Sequence, residues 1–85
     1  MVQRNPSVLW RRCLDGVLIL VENDAAPTLL GPPGDVIWDH LEDPTLVDDL
    51  VDALAAQFAG DRDQIKADVI AYLGQLAAQG ATREL

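Results

Sequence analysis

The chain has few of the residues that catalysis and metal binding most often use. Its 85 residues include one cysteine, Cys13, one histidine, His40, and one serine, Ser7. A single cysteine excludes a disulfide within the chain and a thiolate metal site built by one copy. Ser7 precedes a predicted strand and His40 lies on a predicted helix, so no spacing indicates a hydrolytic Ser–His pair. We therefore predict that the protein is not an enzyme and that no metal or cofactor is implied.

Positive charge is also scarce. Six Lys and Arg stand against 14 Asp and Glu, which gives a formal net charge of −8. Nucleic-acid binding needs cations that neutralise phosphates, and the six in this chain are scattered: Arg4, Arg11, Arg12, Arg62, Lys66 and Arg83. Anionic membranes are disfavoured for the same reason. The composition therefore predicts a solvated acidic surface, with neither nucleic acid nor a membrane as partner.

Long hydrophobic runs are absent. A run of five apolar residues such as 17–21, which no other run exceeds, is far too short to span a membrane, and residues 1–6 lack the apolar stretch of a signal peptide. We therefore predict a cytoplasmic protein. Because 49% of the residues are hydrophobic, the chain has enough apolar side chains for a core. We expect residues 1–85 to form a single domain.

The first half of the chain predicts an antiparallel sheet. Residues 8–13 and 17–22 are strand-like runs, and the Leu-Asp-Gly segment between them contains Asp-Gly, a strong hairpin signal. A turn at residues 22–24 leads to a short third strand over residues 26–30. Three consecutive strands with tight turns form a meander. Its third strand is an open edge unless another part of the chain covers it.

The second half predicts three helices. Residues 32–33 are prolines, which suit the first turn of a helix that runs to about Leu41. Thr45 with Asp48 is typical of a capping box at the start of the second helix. Apolar residues then recur at helical spacing: Leu46, Val47, Leu50, Val51, Leu54 and Phe58.

The third helix has a cap signal at each end. Asp61 with Gln64 indicates its N-terminus and Gly80 its C-terminal cap. Its buried stripe is predicted to be Ile65, Val69, Leu73 and Leu76. The order of elements predicts an α+β, winged helix-turn-helix-like fold with a three-stranded antiparallel sheet followed by three helices.

The third predicted strand is a candidate binding surface. An open edge exposes N–H and C=O groups that an extended peptide can use for β-strand addition. Pro27 removes one donor at its start, which leaves Thr28, Leu29 and Leu30 free to bond. The third helix or a loop could equally cover this edge, and the pattern does not decide between these alternatives.

The third helix offers a second candidate surface beside that edge. Asp68 and Tyr72 lie on a shoulder of the helix with Gln75 and Gln79, next to the apolar stripe. An aromatic ring with a polar tip, a carboxylate and an apolar floor suit recognition of an extended peptide. Tyr72 could instead be a core residue whose hydroxyl reaches solvent.

In order and spacing, these segments resemble the PqqD-like family of leader-peptide recognition domains. Such domains serve pathways that make ribosomally synthesised and post-translationally modified peptides. The resemblance covers residues 8–81 and rests on residues 15–18, 30–34, Ile37-Trp38, 46–58, Asp68-Val69, Tyr72-Leu73, Leu76 and Gly80. Ala81 replaces the large apolar residue usual in the family, so the resemblance predicts a less tightly packed C-terminus.

The resemblance implies how a peptide would bind. The leader of a precursor would add as an antiparallel strand to the third strand, against the backbone of Thr28, Leu29 and Leu30, in a groove beside the third helix. Its side chains would meet Asp68, Val69, Tyr72, Leu73 and Leu76. Leaders with a Tyr-x-x-Pro element would need apolar pockets of this kind.

The resemblance also implies partners. Because it covers nearly the whole chain, it extends to the stand-alone recognition proteins of lasso-peptide biosynthesis. Those proteins deliver the precursor to a separate leader peptidase, with a cyclase of the same pathway as a further partner. Neither a catalytic residue nor a cofactor is implied.

Two alternatives stay open at this point. A winged helix-turn-helix DNA-binding regulator would share the architecture, although the third helix offers only Arg62 and Lys66 against three aspartates. An accessory subunit that contacts only an enzyme, and no peptide, is the other.

Overall fold

The computed structural model describes residues 1–21 and 26–84. The element order is β1 (Val2–Arg4), β2 (Leu9–Cys13), β3 (Gly16–Leu20), β4 (Thr28–Leu30), α1 (Gly34–His40), α2 (Val47–Gln57), α3 (Arg62–Ala78) and β5 (Thr82–Glu84). Strands β2, β3 and β4 form an antiparallel meander in that order, and β1 pairs with β5 in a second, two-stranded sheet. The predicted α+β class, with a three-stranded antiparallel sheet followed by three helices, is confirmed.

The β2–β3 hairpin places Gly16 directly beneath β4. The turn is shorter than predicted, because Cys13 pairs with Gly16 and Gly16 is already the first residue of β3. Gly16 has φ +145°, and a Cβ on it would lie 2.1 Å from the carbonyl oxygen of Leu30. Only glycine therefore allows β4 to approach the hairpin so closely.

The third strand is shorter than expected. It begins at Thr28 rather than at residue 26 and pairs with β3 through Ile19↔Thr28, Leu18↔Leu29 and Val17↔Leu30. The predicted turn at residues 22–24 and the end of the second strand at Glu22 lie outside the described residues.

The two ends of the chain form the sheet that the sequence did not indicate. Val2 pairs with Glu84 across β1 and β5, and it also exchanges two backbone hydrogen bonds of 2.9 Å with Thr45. The N–H of Asn5 donates to the carbonyl of Ala81 at 2.9 Å, and Ala81 is fully buried. Backbone hydrogen bonds therefore hold the chain at Ala81, where a small buried side chain takes the place of a large apolar one. Looser packing of the extreme C-terminus stays a prediction.

Arg4 ties the terminal sheet to the rest of the fold. Its Nε donates to the carbonyl of Trp38 at 2.8 Å. Its guanidinium lies 5.1 Å from the ring centroid of Trp38 and 4.7 Å from that of Trp10. These cation–π contacts connect β1 with α1 and β2.

The starts of the helices agree only partly with their signals. Pro33 precedes α1, which ends at the exposed His40. The predicted capping box of α2 is wrong: Leu46 is the N-cap residue, and the Thr45 hydroxyl lies 2.9 Å from the carbonyl oxygens of His40 and Asp43. Thr45 is held there because its backbone pairs with Val2.

The caps of α3 follow the sequence more closely. Asp61 accepts a hydrogen bond from the N–H of Asp63 at 3.0 Å, as predicted. At the other end, Gly80 has φ +79°, its N–H donates to Ala77, and the N–H of Ala81 donates to Leu76. These two bonds form a Schellman motif, which confirms Gly80 as the C-terminal cap.

Two buried clusters hold the fold together, and α3 contributes to both. One lies between the helices and β1, and consists of Val2, Ile37, Leu41, Leu50, Val51, Leu54, Val69 and Leu73. The other lies under the meander, and consists of Val8, Val17, Ile19, Val21, Leu30, Trp38, Leu76 and Ala81. Tyr72 packs against both clusters. None of the helices in the described part of the chain is long and apolar enough to cross a membrane.

Candidate functional site

The meander ends in a free strand edge. Within residues 1–21 and 26–84, β4 pairs with β3 on one side, and no strand pairs with its other side. Leu30 is buried on the core side, whereas Leu29 is 53% exposed on the opposite face and Thr28 is half-buried. We call the backbone of these three residues the β4 edge. The N–H and C=O groups of this edge that point away from β3 meet the chemical requirement for strand addition.

Immediately after the β4 edge, the chain forms one wall of an apolar cavity. This α3 pocket has a volume of about 490 Å³ and is lined by Pro32, Pro33, Ile37, Leu54, Phe58, Ile65, Asp68, Val69 and Tyr72. Only Gly31 separates Leu30 from the prolines of the wall. A strand that pairs with β4 can therefore continue to the mouth of the pocket.

Phe58 and Ile65 keep the pocket open because each lies at a helix end. Phe58 is the C-cap residue of α2, and Ile65 is in the first turn of α3. Gly60 connects them with φ +146°, and a Cβ on it would lie 3.8 Å from the Ile65 side chain. Helical spacing grouped Phe58 with the apolar residues of the second helix and predicted that Ile65 is buried, and both are half-buried. Their partial exposure could have been predicted from their positions at helix ends, because the neighbouring helix does not cover apolar side chains there.

Tyr72 lines the α3 pocket, and its hydroxyl lies against Gly34. Its ring packs so closely on Gly34 that a Cβ there would lie 2.2 Å from the hydroxyl oxygen. Within the described part of the chain, this hydroxyl makes no hydrogen bond. Burial raises the pKa of Tyr72, and the Asp35 carboxylate raises that pKa further. The hydroxyl therefore keeps its proton at neutral pH and can donate a hydrogen bond to a ligand.

Asp68 adds a carboxylate at the same site. One of its oxygens accepts a hydrogen bond from Gln64 Nε2 at 3.0 Å. Gln64 was expected to help cap α3, but this bond uses its side chain instead. The two cations of α3 pair elsewhere, Arg62 with Asp52 at 2.7 Å and Lys66 with Asp48 at 3.3 Å.

The structure thus separates the predicted site residues into three groups. Asp68, Val69 and Tyr72 line the α3 pocket. Thr28, Leu29 and Leu30 form the adjoining β4 edge. Leu73 and Leu76 are buried in the two clusters and lie outside the pocket lining. That any of these residues contacts a peptide stays a prediction. No group of His, Cys, Asp or Glu side chains that could hold a metal ion occurs in residues 1–21 and 26–84.

Known proteins share this arrangement of strands and helices. The family model described as coenzyme PQQ synthesis protein D (PqqD) matches residues 17–81. The structure of TbiB1 in complex with the TbiA(beta) leader peptide has a TM-score of 0.88 at 24% identity, over 98% of this chain and 96% of that chain. Lasso peptide synthetase B1 complexed with the leader peptide has a TM-score of 0.84 at 17% identity, over 98% of both chains. At these identities the likeness concerns the fold. No curated protein sequence matches the chain.

Proposed function

Because the chain belongs to the PqqD family, we propose that it binds the leader of a ribosomally synthesised precursor peptide and presents it to separate maturation enzymes. The pathway we propose is lasso-peptide biosynthesis, since the two similar structures named above are complexes with leader peptides and one of them is a lasso peptide synthetase B1. The leader adds as an antiparallel strand to β4 and lies in the groove against α3. The protein performs no chemistry of its own on the precursor.

The observation that carries this proposal is the continuity of the β4 edge with the α3 pocket. The edge offers main-chain hydrogen bonds, which fix the register of a strand without selecting its sequence. The pocket offers apolar surface with a hydroxyl and a carboxylate, which selects side chains. A Tyr-x-x-Pro element would place its aromatic residue in such a pocket.

The contribution to maturation is tethering. When a leader peptidase binds this protein, the captured precursor reaches an effective concentration on the order of millimolar near the enzyme. Cleavage then becomes faster at low precursor concentration without any new catalytic group. The peptidase is the first enzyme that we propose as a partner, and the cyclase is the second.

Calorimetry with a synthetic peptide tests this mode of binding. The probe is a synthetic leader peptide with a Tyr-x-x-Pro element, in which a single backbone N-methyl group is moved from residue to residue. In an added antiparallel strand only alternate residues bond to the neighbouring edge. We therefore expect affinity to fall at every second position opposite β4 and to stay near that of the unmethylated peptide between them. Uniform loss, or none, would exclude strand addition.

The DNA-binding alternative is disfavoured by the ion pairs of α3. Arg62 and Lys66 are held by aspartates of α2, so these two cations are not free for phosphates. A gel shift at low salt decides the point, since retention of DNA would contradict leader binding. The accessory-subunit alternative predicts no heat of binding when the leader is added without the enzyme.

The Tyr72 hydroxyl provides a prediction that separates binding from folding. Tyr72→Phe removes a hydroxyl that has no hydrogen-bond partner among the described residues. We expect the free energy of unfolding to change by less than about 0.5 kcal/mol. Leader affinity should fall roughly 3- to 10-fold if the hydroxyl bonds to the peptide. Urea denaturation and calorimetry measure the two effects, and unchanged affinity would make Tyr72 purely a core residue.

A further inference from the structure

The α3 pocket has one charged group in its lining. Within the described part of the chain, Asp68 is the only ionisable carboxylate or cation among the lining residues, and it lies one helical turn before Tyr72 on α3. Its side chain is exposed, and its one hydrogen bond comes from the neutral amide of Gln64. One carboxylate therefore faces the mouth of an apolar cavity without a cation beside it.

The neighbouring charges are already neutralised. Asp35, the carboxylate that raises the pKa of Tyr72, lies 3.8 Å from Arg12. On α3, Arg62 and Lys66 pair with aspartates of α2, whereas none of the ion pairs in the described residues includes Asp68. The chain as a whole carries a net charge of −8. Of the carboxylates at this site, Asp68 is thus the one that can accept an incoming cation.

We infer that Asp68 selects a basic residue in the bound peptide, located two positions from the side chain that fills the α3 pocket. The inference rests on the proposed function and deepens it. In an extended strand, alternate side chains share a face and lie about 7 Å apart. A Lys or Arg two residues from the anchor therefore projects to the same side as the anchor and reaches the wall of the pocket. An acidic residue there meets a like charge.

The size of the expected effect follows from the exposure of Asp68. Exposed ion pairs contribute little and are weakened by salt, so we expect Lys to be favoured over Gln by about 2- to 5-fold at low ionic strength. Glu should bind more weakly than Gln. A preference of this size is best demonstrated with a protein variant that prefers Glu over Lys at the same peptide position.

Charge exchange at Asp68 gives that reversal. An alanine scan of the leader first identifies the anchor as the residue whose truncation weakens binding most. Three versions of the peptide then carry Lys, Gln or Glu two positions from the anchor. Wild-type protein should bind them in the order Lys, Gln, Glu, and Asp68→Lys should bind them in the opposite order.

Asp49→Lys is the matched control. Asp49 is exposed on α2, outside the pocket lining, and its substitution changes the net charge of the chain by the same amount. This variant should keep the wild-type order. If Asp68→Lys keeps it too, or if wild type binds all three peptides equally, the inference is overturned while leader binding stands. If wild-type protein binds neither the unmodified leader nor any of the three peptides, the proposed function itself fails.

Discussion

Gly16→Ala is expected to lower the free energy of unfolding by about 3 kcal/mol, through backbone strain and a clash with β4. The new Cβ would lie 2.1 Å from the carbonyl oxygen of Leu30, which is a backbone atom and cannot rotate away. Gly16 also has φ +145°, a conformation that residues with a side chain rarely adopt. For a domain of this size, the melting temperature should fall by more than ~10 °C. Thermal denaturation followed by circular dichroism measures the loss.

Gly31→Ala is the matched control for this prediction. Gly31 directly follows β4, the strand that Gly16 contacts, but a Cβ on Gly31 would have nothing within 4 Å. We therefore expect its stability to stay within about 0.5 kcal/mol of wild type. Equal melting temperatures for the two variants would mean that β4 moves away from the hairpin at little cost. The β4 edge would then be movable, and the leader would not meet a preformed site.

Ile65→Gln should cause the largest loss of leader affinity that leaves the fold intact. Ile65 is half-buried at the mouth of the α3 pocket, and a bound peptide would cover it. Glutamine replaces apolar contact with an amide that must be desolvated when the peptide binds. Together these effects should weaken binding by about 2 kcal/mol, or roughly 30-fold. Glutamine has a high helix propensity and carries no charge, so the substitution preserves the helical structure of α3 and the electrostatic field of Asp68.

The control for Ile65→Gln lies on the same helix. Ile70 is 52% exposed and is not part of the pocket lining. Ile70→Gln makes the same chemical change outside the groove, and we expect leader affinity to stay within a factor of about two. Calorimetry on both variants, with urea denaturation to compare stability, separates the pocket from the rest of α3. Equal effects at the two positions would remove the pocket from the binding site.

The elements that depend on neighbours in sequence were predictable. The Asp-Gly hairpin, the short third strand and the three helices all appear, because their signals act within a few residues. Asp61 and Gly80 cap α3 as predicted, since each bonds to backbone groups in the adjacent turn. The buried positions Val69, Leu73 and Leu76 also follow from helical spacing alone.

The α3 pocket was only half predictable. Helical spacing places Asp68, Val69 and Tyr72 on neighbouring faces of one helix, and the structure brings all three into its lining. The rest of the lining includes Pro33, which precedes α1, and Phe58, which follows α2. No local pattern relates their positions, because the relative placement of helices depends on packing between distant segments.

Thr45 and the chain ends show the same limit most clearly. Thr45 does not form the predicted capping box, because its backbone pairs with Val2, more than forty residues away. Strand β1 likewise pairs with β5, at the other end of the chain. Short polar segments such as these carry no strand signal, since their hydrogen bonds form only once the core has brought them together. Local sequence thus set the hairpin, the third strand, the three helices and the two ends of α3. Long-range packing set which edge stays open and what lies beside it.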